Sequence, residues 1–353
     1  GNNNTTCGAD TMVALSTGHD NTAIGAWALN SVSTGSRNVG VGNSALEATT
    51  TGGENTAVGE QALKSLTTGT LNTALGRHAL TKQTTASNNT AIGAYACRYN
   101  NNATGCVAVG LEALRGTSDG SPLSGNYNTA VGYGAIKLIT TGTDNVAIGF
   151  QALMSCTTSH ENVAIGKNAG YLCTSGQNVF VGGEGCGDAV TTASECVFMG
   201  SYAGTEVTTG DNNVLIGPSC GNNITTGGGN CFVGKDNGNG VTTGTNNVFL
   251  GNYAGKSQGN LSSILYIARD AVAHSNAAAW IYGNSIGQVY QGNNSSTWET
   301  TSDRRLKKNI VDNTKGLAEI NQLRVTNFEY RKEDEIDMSE FPLADGPHQV
   351  CLN

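Results

Sequence analysis

The chain has 353 residues, of which 49 are Gly and 4 are Pro, and its 19 basic and 27 acidic side chains give a formal net charge of -8. A chain this poor in Lys and Arg is not expected to follow the phosphates of a nucleic acid. None of its segments has the roughly 18–20 consecutive apolar residues that a membrane-spanning helix requires. High charge and dense Pro, the usual marks of disorder, are both absent. The chain starts at Gly1 with neither Met nor a signal segment, which predicts that its natural N terminus lies further upstream.

Charge and glycine content divide the chain near Thr301. Residues 1–300 contain 11 Lys and Arg with 17 Asp and Glu, whereas the 53 residues after them contain 8 and 10. Glycine is distributed in the opposite way, because 47 of the 49 lie before residue 301. The change in composition predicts a domain boundary at this point.

The first part of the chain contains a 17-residue repeat. An aliphatic residue followed by Gly recurs at this spacing, apart from steps of 22, 16 and 18 residues that end at Gly132, Gly182 and Gly200. The fifteen recurring glycines are Gly8, Gly25, Gly42, Gly59, Gly76, Gly93, Gly110, Gly132, Gly149, Gly166, Gly182, Gly200, Gly217, Gly234 and Gly251. Each coil is numbered from this glycine, which is position 0. The longest step carries Ser121-Pro122-Leu123, which we interpret as a loop inserted without loss of register.

The residues around position 0 predict a strand and a turn. Position −1 is aliphatic or Met, position −3 is Thr, Val or once Cys, and position −4 is Asn in twelve of the fourteen coils after the first. Such a run closed by Gly is typical of a short strand, and the Thr-Thr-Gly or Ser-Thr-Gly that follows is typical of a turn. We expect two short strands and two turns in each coil, with coils stacked about 4.8 Å apart. The sequence therefore predicts an all-β fold, a parallel β-roll or solenoid of about fifteen coils and roughly 70 Å in length.

Positions +4 and −2 exchange size along the repeats. In the coils up to that of Gly149, the residue at +4 is large, except for Cys97, and the residue at −2 of the next coil is Ala or Gly. In the later coils, the residue at +4 is mostly Gly, and the residue at −2 of the next coil is Phe or Leu. Close-packed interiors tolerate exchanges that conserve volume. We predict that +4 of one coil contacts −2 of the next inside the roll, as in Leu153 with Ala164 and Gly170 with Phe180. Duplication of a block of coils would explain the copies but not the coupled change.

Nine of the ten cysteines lie in the repeats, and their positions suggest disulfide pairs. The two coils without Asn at −4 have Cys there, and the preceding +4 residue is also Cys. Because side chains alternate along a strand, these positions are expected to share the inner face. The candidate pairs are Cys97 with Cys106, Cys186 with Cys196, and Cys220 with Cys231. Buried free thiols are the alternative, and disulfides would indicate an oxidising extracellular destination.

Other conspicuous patterns are interpreted as structural. The Asn column at −4 predicts a ladder that caps backbone groups, and the Thr pairs predict turns and ladders rather than an ice-binding surface. The Gly-rich run 182–187 resembles a phosphate-binding loop, but it keeps the repeat register and no helix is expected after it. No Cys or His spacing resembles a zinc site. The sequence predicts neither a metal nor a cofactor.

The phrase Asn-Thr-Ala-Ile-Gly-x-x-Ala-Leu resembles the head repeats of trimeric autotransporter adhesins. That resemblance covers residues 1 to about 260 and implies a left-handed parallel β-roll in which three chains pack about a common axis. The 17-residue coils are somewhat longer than the usual adhesin coil. Neither a heptad stalk nor a membrane-anchor barrel follows.

The C-terminal part resembles a different family. Residues 261–302 read as a β-rich trimeric connector, followed by Thr301-Ser302-Asp303-Arg304-Arg305-Leu306-Lys307-Lys308-Asn309-Ile310, a helix from Thr314 to Leu323 and a strand from Val325 to Tyr330. This pattern is similar to the intramolecular chaperone domain of endosialidases and other phage tail fibres, of which residues 303–353 would form the N-terminal part.

The chaperone resemblance implies a self-cleaving trimerisation domain. In that family the domain aligns three chains and then cuts itself off between the Ser and the Asp of this motif. Here Ser302 matches the nucleophile, Lys307 matches the activating base, and Asp303 would begin the released piece. The implied activity is a single-turnover autoproteolysis, not multiple-turnover catalysis. Because the chain ends at Asn353, before the later core segment of the family, it is left open whether this chain cleaves itself.

These patterns together predict a structural protein. The first hypothesis is a homotrimeric tail fibre at the surface of a virion, which contacts other virion proteins and attaches to a host receptor through loops such as 115–127. The chaperone would align the chains before slow, non-local coil contacts close, and cleavage would trap the trimer kinetically. The second is a cell-surface adhesin or extracellular appendage protein of a microbe. A carbohydrate-cleaving tailspike ranks last, because the repeats lack paired carboxylates. Nucleic-acid binding and membrane insertion are not expected.

Overall fold

The computed structural model describes residues 1–117, 123–255, 259–268 and 279–291, and all of them lie within one compact unit, Gly1–Ser296. These residues contain strands and turns but no helix. One three-residue strand forms in each coil, at positions −3 to −1. The strands are β1 Thr5–Cys7, β2 Thr22–Ile24, β3 Val39–Val41, β4 Thr56–Val58, β5 Thr73–Leu75, β6 Thr90–Ile92, β7 Val107–Val109, β8 Thr129–Val131, β9 Val146–Ile148, β10 Val163–Ile165, β11 Val179–Val181, β12 Val197–Met199, β13 Val214–Ile216, β14 Cys231–Val233, β15 Val248–Leu250, β16 Leu265–Ala268, β17 Ala279–Gly283 and β18 Val289–Gln291.

Each strand pairs with the next one in the chain. From β1 to β16 the pairing is parallel and joins equivalent positions of successive coils, as in Thr22 with Val39 and Val248 with Leu265. Strands β16, β17 and β18 then form an antiparallel meander. The predicted parallel β-solenoid of about fifteen coils is therefore confirmed, and β16 extends its ladder by one strand.

The second strand that the repeat predicted in each coil is not present. After position 0 the backbone enters the left-handed region at +2, at +4 and again just before the next Asn, for example at Trp27 with φ 57°, Leu29 with φ 51° and Arg37 with φ 60°. Left-handed residues cannot continue a strand, and for side chains other than Gly and Asn they are unfavourable. The rest of each coil is therefore a series of turns, which still exchange backbone hydrogen bonds with the next coil, as from Leu29 N to Ala45 O at 2.9 Å.

The recurring glycine at position 0 is required by both conformation and contact. Its φ is 118° at Gly25 and 132° at Gly59, values that side chains rarely adopt. A Cβ on Gly59 would also lie 2.6 Å from the carbonyl oxygen of Gly76 in the next coil. Every coil must therefore keep Gly here, which explains why this residue is the marker of the repeat.

The core consists of four columns of inward side chains, at positions −2, +3, +4 and +7. The +3 column is mostly Ala, and the +7 column mixes aliphatic residues with Cys, Thr, Gln and Asn. Leu123, which ends the insertion in the longest step, is fully buried and bridges to Asn100. Pairing resumes directly after it, with Val107 opposite Thr129. The predicted insertion without loss of register is confirmed; Ser121 and Pro122 lie outside the described residues.

The size exchange between +4 and −2 is confirmed as a packing relation, with one correction. A Cβ on Gly40 would lie 3.4 Å from Cγ of Leu29 in the preceding coil, and one on Gly170 would lie 2.6 Å from Cδ2 of Phe180 in the next coil, as predicted. In the later coils, however, the +4 glycine contacts −2 of its own coil, because Gly204 is nearest to Phe198. At Gly170 the −2 residue of the same coil is the small Ala164, whereas in the later coils it is Phe or Leu, whose larger side chain reaches the glycine of its own coil.

The predicted domain limits are only partly within the described residues. The meander β16–β18 agrees with a β-rich segment after residue 260, but residues 303–353 lie outside the part of the chain that the structure describes. The boundaries 1–260, 261–302 and 303–353 therefore stay predictions.

Candidate functional site

The asparagines at −4 form a buried ladder that is interrupted where Cys stands at this position. Asn145 is fully buried, and its Nδ2 donates to Asn128 Oδ1 at 3.0 Å and to the carbonyl of Ser159 at 2.8 Å. Its Oδ1 accepts from the backbone N and from Nδ2 of Asn162, both at 3.1 Å. The amide of Asn145 thus joins the preceding coil, the next coil and a turn of its own coil, whereas Asn128 and Asn213, which follow a Cys, donate to turn carbonyls. The predicted structural ladder is confirmed, and its asparagines have no capacity left for a ligand.

The disulfide pairs that the sequence suggested are not present, because Cys97, Cys106, Cys186, Cys196, Cys220 and Cys231 are all free thiols. The prediction assumed that −4 faces +4. Instead, Cys106 and Cys196 replace Asn in the ladder, and their sulfurs donate to the turn carbonyls of Gly125 at 3.5 Å and Gly210 at 3.4 Å. Cys186 Sγ points to a third carbonyl, that of Phe198.

Burial lowers the reactivity of the core cysteine thiols. Desolvation raises the pKa of Cys106 and Cys196 to about 11, and that of Cys156, Cys186 and Cys220 to about 12. A thiol with such a pKa is protonated at neutral pH and is a poor nucleophile and metal ligand. The cysteines therefore fill the core, and they no longer argue for an oxidising compartment.

The first Thr or Ser of each Thr-Thr or Ser-Thr pair forms a second ladder. Thr50 Oγ1 donates to the carbonyl of Thr67 at 3.2 Å, and Thr67 Oγ1 donates to that of Thr84 at 3.0 Å. Equivalent bonds join Thr191, Thr208 and Thr225 to the following coils. The predicted ladder role is confirmed, and these hydroxyls are used within the roll.

Neither the Gly-rich run nor any cluster of ligands forms a chemical site in the described residues. Gly185 and Gly187 lie at left-handed positions, and a Cβ on Gly187 would contact the ring of Phe180. The run 182–187 therefore makes room for large core side chains. Within the described ranges no group of three or more His, Cys, Asp or Glu could hold a metal ion. No described helix has the length and hydropathy to cross a membrane.

The outer face of the parallel sheet carries an unbroken aliphatic stripe, defined as position −1 of the coils from Ile24 to Leu250. Ile148 and Ile165 are about two fifths exposed, and Val, Leu, Ile or Met occupies the equivalent position in every coil between these limits. Position −3, which shares this face, is Thr, Val or Cys. At Phe150, stacked on Tyr133 with centroids 5.3 Å apart, the apolar surface widens. The sequence identified these residues as strand formers but did not reveal that they lie uncovered.

Charged side chains on the roll pair between neighbouring coils. Arg37 Nη2 lies 2.9 Å from Glu54 Oε1, and Lys137 Nζ lies 2.7 Å from Glu112 Oε2. Glu112 has a lowered pKa, first because Lys137 donates a hydrogen bond to it. These mostly exposed pairs contribute little stability individually, but they favour the observed register.

The predicted autoproteolytic residues Ser302, Lys307 and Asp303 lie outside the described residues. Their assignment rests on sequence. Residues 302–342, less than an eighth of the chain, match a protein family described as "Chaperone of endosialidase". The match begins at Ser302, the residue predicted as the nucleophile. Neither a curated protein nor a solved structure matches the chain.

Proposed function

We propose that the protein is the shaft of a homotrimeric virion fibre that takes part in host attachment, assembled by a self-cleaving C-terminal chaperone. The observation that carries the proposal is the order of two features along the chain: a long parallel solenoid, then a chaperone-of-endosialidase segment at residues 302–342. The proposed place of action is the surface of the virion. Tail genes on either side of the gene would support this proposal over a cell-surface adhesin, and secretion genes would oppose it.

The aliphatic stripe supports assembly into a trimer. It runs along one face of the roll for fourteen coils and contains no charged residue. A continuous apolar surface of this kind on a soluble chain usually marks an interface. If three parallel chains turn this face toward a common axis, each stripe meets the same stripe of its neighbours, as cyclic symmetry requires. Such a contact needs the chains to be aligned in register, which is the task proposed for the chaperone.

We expect Ile148→Glu to prevent trimer formation without unfolding the roll. Its side chain points away from the core, so the added carboxylate is solvated in a single chain but unpaired and buried at a shared axis. Mass measurement by light scattering should give a trimer for the wild type and a single chain for the variant. Thr158→Glu, an exposed change in the same coil, should leave the trimer intact. A wild-type protein that is a stable single chain would rule out the trimer.

Self-cleavage is proposed to use Ser302 as nucleophile and Lys307 as base. We expect the wild-type product of the full-length gene to yield a fragment that begins at Asp303, and Ser302→Ala and Lys307→Ala to remain uncleaved. Lys308→Ala, a matched change one residue away, should still be cleaved. Denaturing gels and N-terminal sequencing measure the result. An uncut wild type, or cleavage that persists in Ser302→Ala, would refute these roles.

A further inference from the structure

Two basic residues depart from the pairing of charges along the roll. Among the residues that the structure describes, Lys82 and Arg98 are the Lys and Arg side chains with no carboxylate within 4.0 Å, whereas Arg37, Lys64 and Arg77 each have one. The two are neighbours, because the backbone N of Lys82 donates to the carbonyl of Arg98 in the next coil at 3.1 Å. On a chain with a net charge of -8, they form a local surface of uncompensated positive charge.

The guanidinium of Arg98 is held in place by aromatic rings instead of by a carboxylate. Its Cζ lies 5.1 Å from the ring centroid of Tyr95 and 5.0 Å from that of Tyr99, within the range of cation–π attraction. Its Nε is buried and has no hydrogen-bond partner. No described residue accepts a hydrogen bond from its terminal nitrogens. The group is therefore ordered before any ligand arrives, which lowers the entropy cost of binding.

The tyrosines belong to a larger aromatic surface. His78 stacks on Tyr95 with centroids 5.4 Å apart and an angle of 11°, and Arg77 Nη1 donates to the hydroxyl of Tyr95 at 3.1 Å. Burial lowers the pKa of His78, as do the neighbouring charges of Arg98 and Arg77, and this favours the neutral form of its ring. Both tyrosines and Arg98 are half-buried, and Lys82 is exposed. The surface therefore combines the side chains of two tyrosines with the cationic groups of Arg98 and Lys82.

We propose that the surface formed by Lys82, Arg98, Tyr95 and Tyr99 binds an acidic polysaccharide. Arg and Lys donate to carboxylate or sulfate oxygens, while the hydroxyls of the two tyrosines can donate to the polar groups of a sugar ring. The two cations extend from successive coils of the roll, so an extended polymer that runs along the roll can contact both. Two cations are too few to follow the closely spaced phosphates of a long nucleic acid. The inference deepens the proposed attachment role, on which it rests, by naming its ligand class.

The test measures binding of the full chain to hyaluronate, which is carboxylated, to heparin, which is sulfated, and to neutral dextran. We expect binding to at least one acidic polymer, weakened by added salt, and none to dextran. Lys82→Gln combined with Arg98→Gln should reduce affinity about tenfold or more, since it removes both charged donors of the surface. Binding to hyaluronate would identify carboxylate as a sufficient ligand, whereas binding to heparin alone, which carries carboxylates as well as sulfates, would identify sulfate.

Arg37→Gln is the matched control, because it removes an exposed cation elsewhere on the roll, and it should change the affinity less than about twofold. Lys82→Gln alone alters only an exposed side chain, so a loss of binding in this variant cannot be attributed to misfolding. Absence of binding to both acidic polymers, an equal loss in Arg37→Gln, or preference for single-stranded oligothymidylate would overturn the proposal. A trimer that binds no polysaccharide would overturn this inference while leaving the fibre assignment intact.

Discussion

Replacing Gly170 with Leu is expected to destabilise the coils around β10 and β11 strongly. A Cβ at this position would lie 2.6 Å from Cδ2 of Phe180 and 3.0 Å from Cδ2 of Leu153, and both side chains are fully buried. Overpacking of this kind usually costs about 1–3 kcal/mol. The left-handed backbone is not the obstacle, because Leu153 occupies the equivalent position one coil earlier with φ 49°.

Phe180→Ala should rescue this variant. Alone it removes a fully buried ring and is expected to cost about 3–5 kcal/mol. In the double variant, however, the leucine introduced at Gly170 fills the space of the ring, and the two positions then carry the same residue types as Leu153 and Ala164 one coil earlier. The double variant should therefore be less destabilised than the sum of the two single changes, with a coupling energy of about 0.5–3 kcal/mol.

Amide hydrogen exchange is the suitable measurement, because each coil of a solenoid contacts only its neighbours and can open locally. Faster exchange should be confined to β9–β12 in each single variant and be partly reversed in the double variant. Gly134→Ala is the matched control, since its φ is 61° and its nearest neighbour is the flexible side chain of Gln151 at 3.6 Å. Additive single and double effects would contradict the proposed contact between these positions.

The sequence predicted the solenoid because its constraints recur every 17 residues. Glycine at position 0 is obligatory, and the Asn ladder and alternating strand positions repeat with it, so fifteen copies reinforce one interpretation. The prediction of a second strand in each coil was wrong, because leucines such as Leu29 and Leu63 adopt a left-handed backbone conformation. The intrinsic conformational preferences of these residues do not indicate this. Tertiary packing holds them there, against the local preference of Leu.

The candidate sites were less predictable, because they depend on which residues of neighbouring coils meet. The predicted disulfides are absent because cysteines such as Cys106 occupy the Asn position of the ladder, where the sulfur donates to the carbonyl of Gly125. The exposure of Ile148 and the unpaired charge of Arg98 follow from faces and contacts that spacing alone does not define. In contrast, the assignment of Ser302 rests on a local motif, which sequence comparison can detect without coordinates.

Asn145→Ala is expected to destabilise the roll by about 3–5 kcal/mol, one of the largest effects of a single substitution, since each buried polar group left unpaired costs about 1–3 kcal/mol. The change removes the acceptor used by Asn162 and the donor used by the carbonyls of Ser159 and Thr143. No water can reach these groups without opening the coil, because Asn128, Asn145 and Asn162 are fully buried.

Asn145→Cys should be tolerated better than Asn145→Ala, although the side chains of Cys and Ala differ only by the sulfur. Cys106 already stands in this ladder, where its sulfur donates to Gly125 O at 3.5 Å and its backbone N still donates to Asn89 Oδ1 at 2.9 Å. A thiol therefore replaces one of the lost hydrogen-bond donors, whereas the methyl group of Ala replaces none.

Chemical denaturation and hydrogen exchange across β8–β10 should rank the wild type as most stable, then Asn145→Cys, then Asn145→Ala. The exposed change Thr158→Ala should shift stability by less than about 0.5 kcal/mol. If Ala and Cys were equally tolerated, the ladder would be a consequence of stacking and not one of its causes, and the register of the fibre would have to come from the core columns alone.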